Sequence, residues 1–226
     1  MSLNVLKSKK SCIIEKSFLS LSQKPNKILT MCIINLTEEE KIKNFEIFKG
    51  NVKRANVESV ITDESFVKKL MNATCALSDD SGCAYDGALI VHINLTTQIA
   101  QRLAKMVCVS LPINETSLLK VCCLQHLSKV KMFVRNIDDW QVKHGKPYTF
   151  ALDSDSSLKM GDRSLQMATS MGISFSDSEW EAMKCLDKAD GNSIVRHESP
   201  LCTVIRQANE LAYSIQYQKY KKTCAK

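Results

Sequence analysis

Residues 86–108, DGALIVHINLTTQIAQRLAKMVC, decide the architecture. Ala88, His92, Leu95, Ile99, Leu103 and Met106 recur at steps of three and four, which lines them up along one face of a helix. The spacing predicts a helix over roughly 86–108, with a histidine embedded in its apolar stripe. Upstream, residues 72–85 are small and polar and read as a loop. Asp63–Met71 reads as a short helix capped by Thr62. Thr37 followed by Glu40 is a capping box, opening a helix to about Arg54.

Downstream, Asn114 caps a predicted helix over 115–128, whose inner stripe is Leu119, Cys122, Cys123 and His126. Residues 131–150 change character. Phe133-Val134 and Tyr148-Thr149-Phe150 flank a His144-Gly145 turn, which predicts a small inserted β-hairpin. Helices are then expected over 162–170, stopping at Gly172. Another runs from the Ser176/Glu179 capping box to about Ala189, and a last one from Ser199-Pro200 to about Tyr217. Residues 1–35 lack a sustained period and read as an N-terminal extension. The domain proper spans 36–218, and 219–226 reads as a basic C-terminal tail. No internal repeat is visible.

The composition agrees with an all-α fold. Gly (7) and Pro (4) are too scarce in 226 residues for the many tight turns of an all-β protein. Lys plus Arg is 31 against 24 acids, a net +7, concentrated near the ends. Nucleic-acid binding draws only weak support from that excess, because aromatic and basic residues do not interleave. The ten cysteines contain no C-x-x-C pair, and several lie inside apolar helical stretches, as reduced thiols do. No run is long enough to span a membrane, and the four N-x-T sequons follow no secretory signal. The expectation is a cytoplasmic protein with no membrane contact. Asp153 and Asp155 lack the glycine and distal glutamate of a calcium loop.

The order of these segments resembles the HD-domain superfamily of bacterial metal-dependent phosphohydrolases. GCAYDGALIVHINLT (82–96) is similar to the loop and helix that bear the family's first metal-binding histidine, which falls on His92. LLKVCCLQHLSKVKMFV (118–134) resembles the helix of the His-Asp pair, with His126 at the histidine and Lys129 at the following lysine. YTF (148–150) and MGDRS (160–164) resemble the aromatic and glycine-rich elements after the hairpin. EWEAMKCLDKA (179–189) and PLCTVIRQANELA (200–212) resemble the last two ligand-bearing helices.

The resemblance implies an HD-like helical bundle in which much of the metal centre is missing. Leu127 stands where the paired aspartate would be, Met160 and Leu186 replace histidines, and Asn209 replaces the closing aspartate. A divalent ion that activates water for attack on phosphorus needs several hard, preferably anionic ligands. Two imidazoles and one neutral amide are a poor substitute. His92 and His126 could therefore hold at most a transition metal weakly, and no cofactor is expected. Lys129, Arg163, Ser164 and Asn209 are the candidate ligand-binding residues, the first three as an anion site near the start of the helix after 161. The expected function is binding of a phosphorylated ligand, nucleotide or protein partner without turnover. The alternative is a phosphohydrolase with a non-standard ligand set built on His92 and His126, with Asp162 or Asp187 supplying charge.

Overall fold

A computed structural model describes residues 35–108, 110, 112–152, 158–185 and 198–225. The expected 1–35 extension, the Asp153/Asp155 run, Leu186, Asp187 and His197 therefore lie outside the described residues, Asn35 apart. Within them the protein is all-α with one small two-stranded antiparallel hairpin, the architecture expected from the caps and stripes.

The first helix, α1 (Glu38–Arg54), opens on the capping box. The Thr37 hydroxyl accepts from the Glu40 amide at 3.2 Å, and the Glu40 carboxylate accepts from the Thr37 amide at 2.9 Å. The next, α2 (Glu64–Asn72), is capped by Asp63 rather than by Thr62. Thr62 closes the preceding 3-10 turn, and its hydroxyl already donates to the Ser59 carbonyl. The long central helix α3 (Ala88–Val107) follows.

Asn114 caps α4 (Glu115–Leu124), which stops four residues short of the expected end. A turn over 125–128 leads to the short α5 (Lys129–Met132) and strand β1 (Phe133–Arg135). Between β1 and β2 (Tyr148–Phe150) sits α6 (Asp139–Lys143), a single helical turn the sequence reading missed. Phe133 pairs with Phe150 and Arg135 with Tyr148. The hairpin is fastened to the loop before α3, because Arg135 pairs with Asp86 and the Tyr148 hydroxyl donates to the same carboxylate at 2.7 Å.

Helix α7 (Met160–Ser170) starts two residues earlier than predicted, and α8 (Asp177–Lys184) opens on the Ser176/Glu179 box. Helix α9 (Pro200–Cys224) carries its proline in the first turn, as expected. It absorbs most of the predicted basic tail, since residues 219–224 are its last turns. Lys221 and Lys222 there complement the negative end of the helix dipole.

The stripe assigned to α3 needs correction. Met106 is 79% exposed, and Leu95, Ile99 and Leu103 are only half-buried. Of the predicted stripe Ala88 and His92 are deeply buried, together with Leu89, Ile90, Ile93, Asn94, Thr96, Thr97 and Ala100. Helix α3 packs most extensively on α9 and also against α4 and α1. Flanked on several sides, it buries a face wider than one stripe, while Leu103, Ala104 and Val107 of its last turns still pack against the core.

Gly87 fixes where α3 begins. Its φ of +85° is left-handed, and a Cβ there would meet Leu36 Cδ1 at 3.1 Å and the Met71 carbonyl at 3.2 Å. Gly87→Ala should cost about 2 kcal/mol, combining the left-handed penalty with the close contacts. A lower urea midpoint at unchanged slope is the expected result. An unchanged midpoint would contradict the role assigned to this glycine.

Candidate functional site

Five segments converge at the centre of the protein. Helix α3 presents His92 and the 125–128 turn presents His126. Helix α9 presents Asn209, Tyr213 and Gln216, spaced four and then three residues apart along one stripe. Lys129 follows on α5, and Cys75 lies in the loop before α3. His92 is 0% exposed, His126 2%, Lys129 4% and Asn209 6%. These groups are interior, so each polar atom requires a partner inside the protein.

The two imidazoles sit 5.1 Å apart by ring centroid, edge to face. Both aim Nε2 at a single acceptor, the Asn209 side-chain oxygen, each at 2.8 Å. That oxygen can only accept, so both Nε2 atoms carry hydrogen. Burial, first of all, pulls the His92 pKa down to about 4, and the Lys129 charge pulls it in the same direction. The same two causes, joined by the His92 charge, hold His126 well below the usual histidine value. Both rings are thus neutral at pH 7, protonated at Nε2 alone.

This tautomer constrains Gln216. Its carboxamide lies 2.7 Å from His92 Nδ1, which must accept. The partner it requires is an amide N–H, so the Gln216 nitrogen belongs on the His92 side. The result is a chain from Gln216 through His92 and Asn209 to His126. At the two ends of this chain, His126 Nδ1 and the outer carboxamide atom of Gln216 are buried without a hydrogen-bond partner.

Lys129 does not join this chain, although its charge is felt there. Its ammonium donates to the Tyr213 hydroxyl at 2.7 Å and the Cys75 carbonyl at 2.8 Å, with Cys75 Sγ at 3.4 Å. Tyr213 also lays its ring beside His92, with centroids 4.1 Å apart.

The anion site expected from Lys129, Arg163 and Ser164 is arranged differently. Ser164 is 0% exposed and fastens α7 to the 125–128 turn. Its hydroxyl donates to the Gln125 carbonyl at 3.1 Å and accepts from the Ser128 amide at 3.1 Å. It thereby satisfies backbone groups that the early end of α4 leaves open, which accounts for the turn. Arg163 lies at the surface of α7, while Lys129 points to Cys75 and Tyr213. Arg163 instead shares a cleft of about 330 Å³ with Lys131, lined also by Ser128, Gln166, Met167 and Ser170. Among the described residues no acidic side chain lines it. Lys131, two residues along from the lysine singled out by the sequence, was not anticipated.

The donor set does not suit a hard divalent ion. Among the described residues, no group of three or more His, Cys, Asp or Glu side chains could hold a metal. Asp162, considered as a source of charge, is 2.9 Å from Lys184 in an ion pair. Leu127 is fully buried. No helix among the described residues is long and apolar enough to cross a membrane. No protein-family model, curated protein or solved structure matches the chain.

Proposed function

We propose that this chain is an HD-like helical protein that binds a phosphorylated ligand or nucleotide without hydrolysing it. One observation carries the reading. Two imidazoles that could serve as metal ligands both donate to the neutral Asn209 oxygen, in a buried cluster without a carboxylate. An arrangement of this kind holds itself together by hydrogen bonds and offers a divalent ion neither negative charge nor an open position. The metal-free reading of the resemblance, with Leu127 and Asn209 in place of aspartates, points the same way.

Binding then falls to the surface. The cleft bounded by Lys131 and Arg163 offers two cationic side chains, with the Gln166 carboxamide also on its lining. Charge-assisted hydrogen bonds of that kind suit a phosphate group. A nucleoside monophosphate titrated against the protein, with inorganic phosphate as competitor, tests the reading. Lys131→Glu and Arg163→Glu should each weaken binding at least about tenfold while leaving the melting temperature near that of the parent. No phosphate should be released. Binding indifferent to both charge reversals would remove the cleft from the account. Phosphate release that disappears in His126→Ala would overturn the non-hydrolytic reading itself.

A further inference from the structure

We propose that Cys75 and Lys129 form an oxidative modification site, at which a hydroperoxide joins Sγ to Nζ as a sulfenamide. The two atoms are 3.4 Å apart, and the Tyr213 hydroxyl touches both, at 3.4 Å from Sγ and 2.7 Å from Nζ. Cys75 is 1% exposed and Lys129 4%. The pairing does not rest on the proposed cleft, and it adjoins the histidine cluster through Tyr213.

Two features favour the reaction. Lys129 Nζ lies 3.4 Å from Sγ, so the nucleophile of the second step is already in place when the sulfur is oxidised. The Lys129 ammonium is itself held only by neutral acceptors, and among the described residues no carboxylate pairs with it. A buried cation without an anion is unfavourable, and converting it to a neutral sulfenamide removes that charge from the interior.

The chemistry balances in two steps. Hydrogen peroxide transfers one oxygen to the Cys75 thiolate: an S–O bond forms, the O–O bond breaks, and the departing hydroxide leaves as water. Sulfur loses two electrons and peroxide gains them. Lys129 Nζ, having released a proton, then attacks the sulfenic sulfur. The S–N bond forms, the S–O bond breaks, and a second water leaves. Thiol, ammonium and one peroxide thus give sulfenamide, two waters and one proton. Access is through the 73–87 loop, where Cys75 is tied by its amide to the Cys83 carbonyl at 3.2 Å. Local opening of such a loop admits a molecule the size of water. Loss of the Lys129 charge would then be felt at His92 and His126, whose protonation it opposes.

Peptide mapping of the full chain after hydrogen peroxide treatment, digested without reductant, tests this. The expected product joins the peptide of Cys75 to that of Lys129. Its mass is about 2 Da below the sum of the two, and thiol reductant separates them. Cys75→Ser and Lys129→Arg should each abolish the product, and Cys83→Ser should retain it. Three results would overturn the proposal. One is a Cys75–Cys83 disulfide with the Lys129 amine free. Another is a Cys75 that stops at a stable sulfenic acid, about 16 Da above the thiol, with the Lys129 amine free. The third is a Cys75 still reduced when the exposed Cys108 is oxidised. The map of the unmutated protein decides even if a variant fails to fold.

Discussion

Lowering the pH from 7 to 5 should destabilise the protein by about 2 kcal/mol through His92 alone, and by about 3 kcal/mol at pH 4. The sign follows from where the proton prefers to sit. In the unfolded chain His92 titrates near its ordinary value of 6.5, whereas in the folded protein burial lowers it to about 4. Between those values the unfolded state binds more protons, so stability falls as pH falls and is fully present above 6.5. His126 is shifted in the same direction by burial and adds to the loss. Urea unfolding at pH 7, 6 and 5 reads the effect in a window above the titration of ordinary carboxylates. His92→Gln should flatten the dependence. A native protein equally stable at pH 7 and pH 5 would mean that the imidazoles are not buried as neutral donors.

Asn209→Leu should destabilise the protein by about 4 kcal/mol, a large share of what a domain of this size has available. The substitution keeps the volume but removes the one acceptor shared by both Nε2–H groups. Two buried donors are then left without partners, at about 1–3 kcal/mol each. Asn209→Asp is the informative contrast. A carboxylate can accept from both rings and would favour their protonated forms, so this variant should be less sensitive to acid than the parent. Guanidinium unfolding of the three proteins at pH 7 and 5 checks both statements. If Asn209→Leu lay within about 0.5 kcal/mol of the parent, the shared-acceptor geometry would carry no energetic weight.

The helical elements were legible because their signals are local. Thr37, Asn114, Ser176 and Ser199 each cap the helix the sequence assigned to them. The errors arose where a tertiary partner competed with a local signal. Thr62 looked like a cap but serves the preceding turn. The end of α4 moved because Ser164, 36 residues beyond Ser128, takes up its backbone groups. Met106 fitted a stripe that the packing of α3 does not use.

At the site, the inward position of Asn209 could be read from its spacing to Ile205 and Ala212. Tyr213 and Gln216 lie on the same stripe, four and seven residues further on, so extending the period by two turns would have found them. The setting of Lys129 could not be read in this way. Its partners Cys75 and Tyr213 are 54 and 84 residues distant, and nothing local distinguishes it from the solvated lysine at 131. The sequence reading therefore grouped Arg163 and Ser164 with a lysine whose ammonium is held by Cys75 and Tyr213.

The central claim is that His92, His126 and Asn209 form a self-sufficient hydrogen-bonded core rather than a metal centre. Calorimetric titration of the chelator-treated full chain with Mn²⁺ at pH 7, paired with elemental analysis of the protein as purified, tests it most directly. The account predicts no stoichiometric metal and no saturable Mn²⁺ binding up to the millimolar range, about −4 kcal/mol of affinity. A stoichiometric ion lost in His126→Ala, with a melting temperature that falls when the ion is chelated, would contradict it.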